Sequence, residues 1–230
     1  MENARHNSSE PYVVHFPPER SIGLLYIDGG GEGAARFADG KTSAEAQGDV
    51  ILFPGKHLAF MALTEYVSTK RLYDDDILYL LAVSDLDDLM LNHTDLTDAG
   101  MRHIARFPTL TYLGIESTRV TDIGLRYLQE CTTLRALSLK NPIGDGVTDG
   151  GIKHLRSLTN LHALHLTRAR TTDSGVEYLN VLPISRLGLD QTPITDTGLK
   201  HLGSLSHLTY LDLSQTAVSD RGMAYLGACA

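Results

Sequence analysis

The feature that most constrains this chain is that it repeats itself. From residue 86 onward, six copies of one pattern begin at residues 86, 110, 134, 161, 184 and 208, at spacings of 24, 24, 27, 23 and 24. Two of them read "LTYLGIESTRVTDIGLRYL" and "LTYLDLSQTAVSDRGMAYL", and every copy contains Thr/Ser-Asp-x-Gly followed by an apolar residue. The first half of each copy alternates apolar and polar residues, which predicts a strand. The second half places apolar residues three apart, as at Leu125 and Leu128, which predicts a short helix face. Such a unit cannot bury its apolar side alone, so the copies must stack.

The junction between the halves carries its own chemistry. Thr/Ser-Asp supplies side-chain oxygens for the exposed amides of a helix N-terminus, and a carboxylate suits the dipole there. The column Asp98, Asp122, Asp149, Asp173, Asp196 and Asp220 is therefore read as six caps, each serving its own helix, rather than as a cation site. The glycine two residues later lets the backbone pass close to its neighbour.

This pattern resembles leucine-rich repeats of the cysteine-containing type, with their "LxxLxLxxC/TxhTDxGLxxLxxL" consensus. The resemblance covers residues 86–230, about two thirds of the chain. It implies an α/β fold, a curved solenoid with parallel strands on the concave side and short helices on the convex side. Where eukaryotic members often have cysteine after the strand, this chain has Thr94, Thr118, Thr192 and Thr216. That Thr-Asp-x-Gly-Leu variant looks more like bacterial repeat proteins than like eukaryotic F-box adaptors.

The register reaches back before the first full copy. Ile77, Leu80 and Val83 stand at the same distances before Leu86 as Met101, Ile104 and Phe107 stand before Leu110. Asp74–Ala82 is accordingly read as the helix of a half-repeat that lacks the Thr-Asp-x-Gly entry. The repeat domain then spans residues 74–230. Residues 1–73 do not fit the period. "SIGLLYI", "DVILF" and "HLAFMAL" read as strands between glycine-rich turns. The expectation is a small β-rich N-terminal cap, because a solenoid must cover its open ends.

Composition excludes several classes. A net charge of -8 and a pI near 5.6 oppose the basic footprint of a nucleic-acid binder. No run approaches the ~18 apolar residues of a membrane span, and the polar N-terminus lacks the apolar centre of a signal peptide. A cytoplasmic location is expected. Two cysteines give no disulfide framework.

Motifs suggestive of catalysis or cofactor binding give way to structural readings. Gly29, Gly31 and Ala34 have G-x-G-x-x-A spacing, but the downstream sequence is turn-like and leads to another strand, so a hairpin loop is expected. The "GKT" at 40–42 lacks the glycine a phosphate loop needs five residues before Gly40. His103, His154 and His201 alternate with Tyr127, Tyr178 and Tyr225 in one slot of the repeat. Histidines two copies apart stand nearly twice the ~8–10 Å helix spacing from one another, too far to share a zinc ion. The column is read as half-buried convex packing. "NPIGDGVTD" carries the three extra residues of the third copy; its Asn141, Asp145 and Gly146 faintly suggest a calcium loop, but Ile152 stands where glutamate is required. Cys131 and Cys229 fill leucine slots four repeats apart, beyond the ~7 Å reach of a disulfide. No catalytic residue, metal or cofactor is assigned.

What remains faces outward from the strands. Alternation puts the third, fifth and seventh positions of each copy on the concave surface. The candidate binding residues there are Tyr112, Glu116, Lys140, His165, Arg186, Asp190, Tyr210 and Asp212. Tyrosine and arginine are typical anchors of protein interfaces. The expected function is a noncatalytic scaffold that binds another protein on this face. Two alternatives stand beside it. One is an enzyme or small-ligand module with its site at Gly29–Gly33 and the repeats as recruiting arm. The other is a homo-oligomer formed through the C-terminal repeat edge.

Overall fold

The structure, a computed structural model, describes residues 12–18, 23–27, 43–45, 47, 49–52, 58–62, 72–83, 86–144 and 146–228. The glycine-rich loop containing Gly29, Gly31, Ala34 and Gly40, together with Asp145 and Cys229, lies outside the described residues.

Each copy folds as its pattern predicts. The strands are β6 (Leu86–Met90), β7 (Tyr112–Gly114), β8 (Ala136–Ser138), β9 (Ala163–His165), β10 (Arg186–Gly188) and β11 (Tyr210–Asp212). After each strand comes a short helix: α2 (Asp98–Ile104), α3 (Asp122–Tyr127), α4 (Asp149–His154), α5 (Asp173–Glu177), α6 (Asp196–Leu202) and α7 (Asp220–Met223). The half-repeat forms a single 3-10 turn at Asp74–Asp76 and then α1 (Ile77–Leu80). Ahead of it lie β1 (Tyr12–His15), β2 (Gly23–Ile27), β3 (Ser43–Glu45), β4 (Asp49–Leu52) and β5 (Leu58–Ala62).

Nine of the described strands make one long sheet in the order β11-β10-β9-β8-β7-β6-β5-β2-β3. From β5 to β11 all neighbours run parallel, while β2 pairs antiparallel with β5 and β3. A separate antiparallel pair joins β1 to β4. The parallel ladder therefore runs beyond the repeats into the N-terminal segment. Phe60, buried on β5, pairs with Leu89 on β6. Val14, Phe16 and Leu25 join the same core cluster as Ile77 and Leu80.

The core lies between sheet and helices. Leu113, Leu137, Leu164 and Leu187, at the fourth position of successive copies, are at most 1% exposed. Replacing one by alanine would cost about 2–5 kcal/mol, the usual range for a buried leucine. Cys131 is 2% exposed in a leucine slot, and burial, helped by Glu130, pushes its thiol up to about 11. A thiol so protonated at neutral pH is a small apolar filler.

The Thr-Asp junctions differ from the expectation in one respect. The helix cap is the hydroxyl: Thr97, Thr121, Thr148, Thr172, Thr195 and Ser219 each accept from the amide two residues on. The aspartate reaches instead to the next copy. Asp98 accepts from the Thr121 amide (2.8 Å) and hydroxyl (2.7 Å), and Asp173 accepts from both groups of Thr195 (2.8 and 2.6 Å). Asp122, Asp149 and Asp196 do the same to Thr148, Thr172 and Ser219. Asp74, which the sequence pattern places outside the motif, holds Thr97 in the same way (2.8 and 2.6 Å). Each hydroxyl thus donates to the preceding copy and accepts within its own helix. This carboxylate also explains the glycine: a Cβ at Gly124 would lie against Asp98 Oδ1 and 2.7 Å from Val120 Cγ1.

Candidate functional site

The strand face opposite the helices is built by register. Third-position residues line up across the sheet as Asp88, Tyr112, Ala136, Ala163, Arg186 and Tyr210, each paired with the next. The fourth and sixth positions are buried in β7 to β10, so the third, fifth and seventh face away from the core. Ala136, Ala163, Gly114 and Gly188 make a low floor, from which Tyr112 rises on one side and Arg186 and Tyr210 on the other.

After each strand the chain turns at the eighth position, where His93, Ser117, Asn141, Arg168, Gln191 and Gln215 all have φ between +51° and +59°. A left-handed residue with a side chain costs about 1–2 kcal/mol, and the stacked ladder holds six of them in register. One place further, Thr94, Thr118 and Thr216 close the turn by donating their hydroxyls to the carbonyls of Leu91 (2.7 Å), Ile115 (2.8 Å) and Leu213 (2.7 Å). Thr192 makes the same bond to Leu189. This bond is what the threonine after the strand supplies.

Seven of the eight predicted residues fall into two groups on this face. Toward the N-terminal side, Glu116 accepts from the Ser138 hydroxyl (2.6 Å) and lies 3.6 Å from the Lys140 ammonium. Its amide donates to Asn92 Oδ1 (2.8 Å). Tyr112 stands beside Gly114, and burial, then the Glu116 and Asp88 charges, raise its phenol above the usual range. Toward the C-terminal side, the Arg186 guanidinium lies 5.1 Å from the centre of the Tyr210 ring. Both side chains are exposed. Asp190 accepts from the Thr167 hydroxyl (2.8 Å). Asp212 accepts from the Ser214 hydroxyl (2.6 Å) and amide (2.9 Å), and these bonds hold its carboxyl below the usual range.

His165 sits between the groups. Its ring leans over Gly188, where a Cβ would lie 2.8 Å from Nδ1. Burial lowers its affinity for a proton, and the charges of Lys140 and Arg186 lower it further, against the opposing pull of Glu116 and Asp190.

The convex side gathers other residues. His103 lies 4.0 Å from the Asp75 carboxylate, and His154 Nδ1 is 2.9 Å from the Gln129 amide nitrogen. Among the described residues no three His, Cys, Asp or Glu side chains converge as metal ligands would. The sequence reading missed an open depression of about 620 Å³ lined by Gln129, Lys153, His154, Arg156, Ser157 and Val181. Arg156 stacks 6.0 Å from the Tyr178 ring. Its elements are adjacent in the repeat, so only their register could have signalled it. The inserted loop exposes Ile143 and turns through two left-handed glycines, Gly144 and Gly146. No helix among the described residues is long and apolar enough to cross a membrane.

Comparison with known proteins agrees with this geometry. Residues 204–227 match a family model described as Leucine Rich repeat. An internalin C2 from Listeria monocytogenes is similar in structure, with a TM-score of 0.54 and 19% identity over 75% of this chain and 76% of that one. None of the curated proteins matches the chain. With its strand ladder, its stacked helices and these two likenesses, the chain folds as a leucine-rich-repeat solenoid.

Proposed function

We propose that this protein is a noncatalytic interaction scaffold that binds another protein on its concave strand face, with residues 1–73 closing the N-terminal end of the solenoid. The observation that carries this reading is the open strand face itself. Tyr112, Arg186 and Tyr210 project from a floor of alanine and glycine, and aromatic and guanidinium groups in such positions are the usual anchors of interfaces. The strand ladder fixes the backbone that carries them, so little backbone freedom is lost on binding.

The test is capture of a partner from the native source on the immobilised full chain, followed by mass-spectrometric identification. The double variant Arg186→Glu, Tyr210→Ala should lose the identified partner while its circular dichroism stays that of the parent. Undiminished capture by the double variant would reject the concave assignment.

A further inference from the structure

The charged groups of the concave face are unevenly spent. Its acids are all engaged within the fold: Asp88 by Thr111, Glu116 by Ser138 and Lys140, Asp190 by Thr167, and Asp212 by Ser214. Lys140 faces Glu116. Arg186 is different. Its guanidinium lies over the Tyr210 ring, and among the described residues it meets no carboxylate at ion-pair distance. A ring contact of this kind takes up no carboxylate acceptor, so the N–H donors keep the fork that matches a carboxylate.

The surroundings decide what can reach that fork. Next to Arg186 along the third-position row stands Ala163, and two residues along β10 stands Gly188, roofed by the His165 ring. A partner side chain can therefore descend over Ala163 without meeting a bulky residue. The same neighbourhood carries Asp190, two residues beyond the end of β10, and Asp212 on the next strand. Their charges are retained even though their oxygens accept hydrogen bonds, so a second negative charge close to the first would be repelled.

We propose that this face recognises a partner peptide segment presenting one isolated carboxylate, flanked by neutral or basic residues, which docks on the edge of Arg186 between Tyr210 and His165. The inference rests on the concave-face reading and names the chemistry of its partner. An acidic run fits poorly because of Asp190 and Asp212. A phosphorylated residue, with its additional charge, fits poorly for the same reason.

The experiment is a random peptide library displayed on phage, panned against the full chain and followed by binding of selected synthetic peptides. Selected sequences should carry a single Asp or Glu among neutral or basic residues. Replacing that residue by Gln or Asn, or Arg186 by Glu in the protein, should weaken binding by about tenfold or more, as expected for loss of a charge-assisted pair. Arg186→Lys, which keeps the charge but not the planar fork, should lose part of that affinity. A phosphoserine in place of the acid should bind more weakly than the carboxylate. Peptides that lose binding on Tyr210→Ala, yet lack an acid and ignore Arg186→Glu, would overturn the carboxylate proposal and leave the concave reading standing. Peptides indifferent to both substitutions, or no enrichment at all, would reject both.

Discussion

The Asp98 carboxylate spans two repeats, accepting from both the amide and the hydroxyl of Thr121 at 2.8 and 2.7 Å. With its five counterparts it forms a line of staples along the helix side of the solenoid. Each staple satisfies one helix-terminal amide that the helix itself cannot.

Asp98→Ala should destabilise the protein by about 2 kcal/mol, because it removes two acceptors from a partly buried pair of donors. Asp220 receives no such bond among the described residues, so Asp220→Ala should change stability by no more than about 0.5 kcal/mol. Urea denaturation of the two variants checks both values. Equal losses would mean that the staple contributes no more than a local helix charge.

Gly124→Ala should also be destabilising, against the usual gain of up to about 1 kcal/mol for Gly-to-Ala within a helix. The new methyl group would press on Asp98 Oδ1 and Val120. In a double-mutant cycle, Asp98→Ala should relieve part of that penalty, giving a coupling energy above about 0.5 kcal/mol. Strict additivity would show that the glycine answers to something other than the carboxylate.

Thr171 takes the slot that Val120 and Ile194 occupy in other copies, is fully buried, and its hydroxyl has no hydrogen-bond partner among the described residues. Thr171→Val keeps the shape and removes the unsatisfied group. It should raise stability by about 1–2 kcal/mol, read as an upward shift in the thermal midpoint. No gain would indicate a water-satisfied hydroxyl.

His165 should titrate below 6.5 in the folded chain, followed by NMR of its ring protons. Its folded-state pKa is depressed, so the unfolded chain binds the proton more readily. The group's contribution to stability is therefore present above about pH 6.5 and is lost as pH falls through the folded value. Lys140 and Arg186 oppose the proton, while Glu116 and Asp190 favour it and Asp212 also lies within range. Arg186→Ala should raise the midpoint without restoring 6.5, because burial is the larger cause. A full return would show that charge outweighs burial at this site.

Much of this architecture was legible because the period is short and the glycine unvarying. Leu125 and Leu128 marked a helix face, and alternation at Tyr112, Gly114 and Glu116 marked the outward positions of a strand. The cross-repeat use of Asp98 was hidden, since an aspartate beside a threonine at a helix start satisfies a local rule completely. Asp74 was hidden for a related reason: it stands 24 residues before Asp98, in register, but without its threonine and glycine. β1 and β3 were missed because "YVVH" and "SAE" carry too few alternating positions to announce a strand. The left-handed eighth positions were invisible for want of glycine; of the six, Asn141 and His93 are the residue types that favour that conformation. On the concave face, spacing identified which side chains project, whereas the stacking of Arg186 on Tyr210 depends on rotamers that no periodicity encodes.

The staple also bears on how such a chain can change in length. The bond from Asp122 to Thr148 forms across the 27-residue copy with the same amide distance, 2.8 Å, that Asp98 and Thr121 show across a 24-residue copy. The intervening loop is thus free to grow while the joint stays fixed. Because each copy presents the same acceptor forward and the same donors backward, a whole unit can be duplicated or deleted at any joint and the ends will still match. Extending the binding face by one strand requires only that the new unit bring its own Thr-Asp-x-Gly.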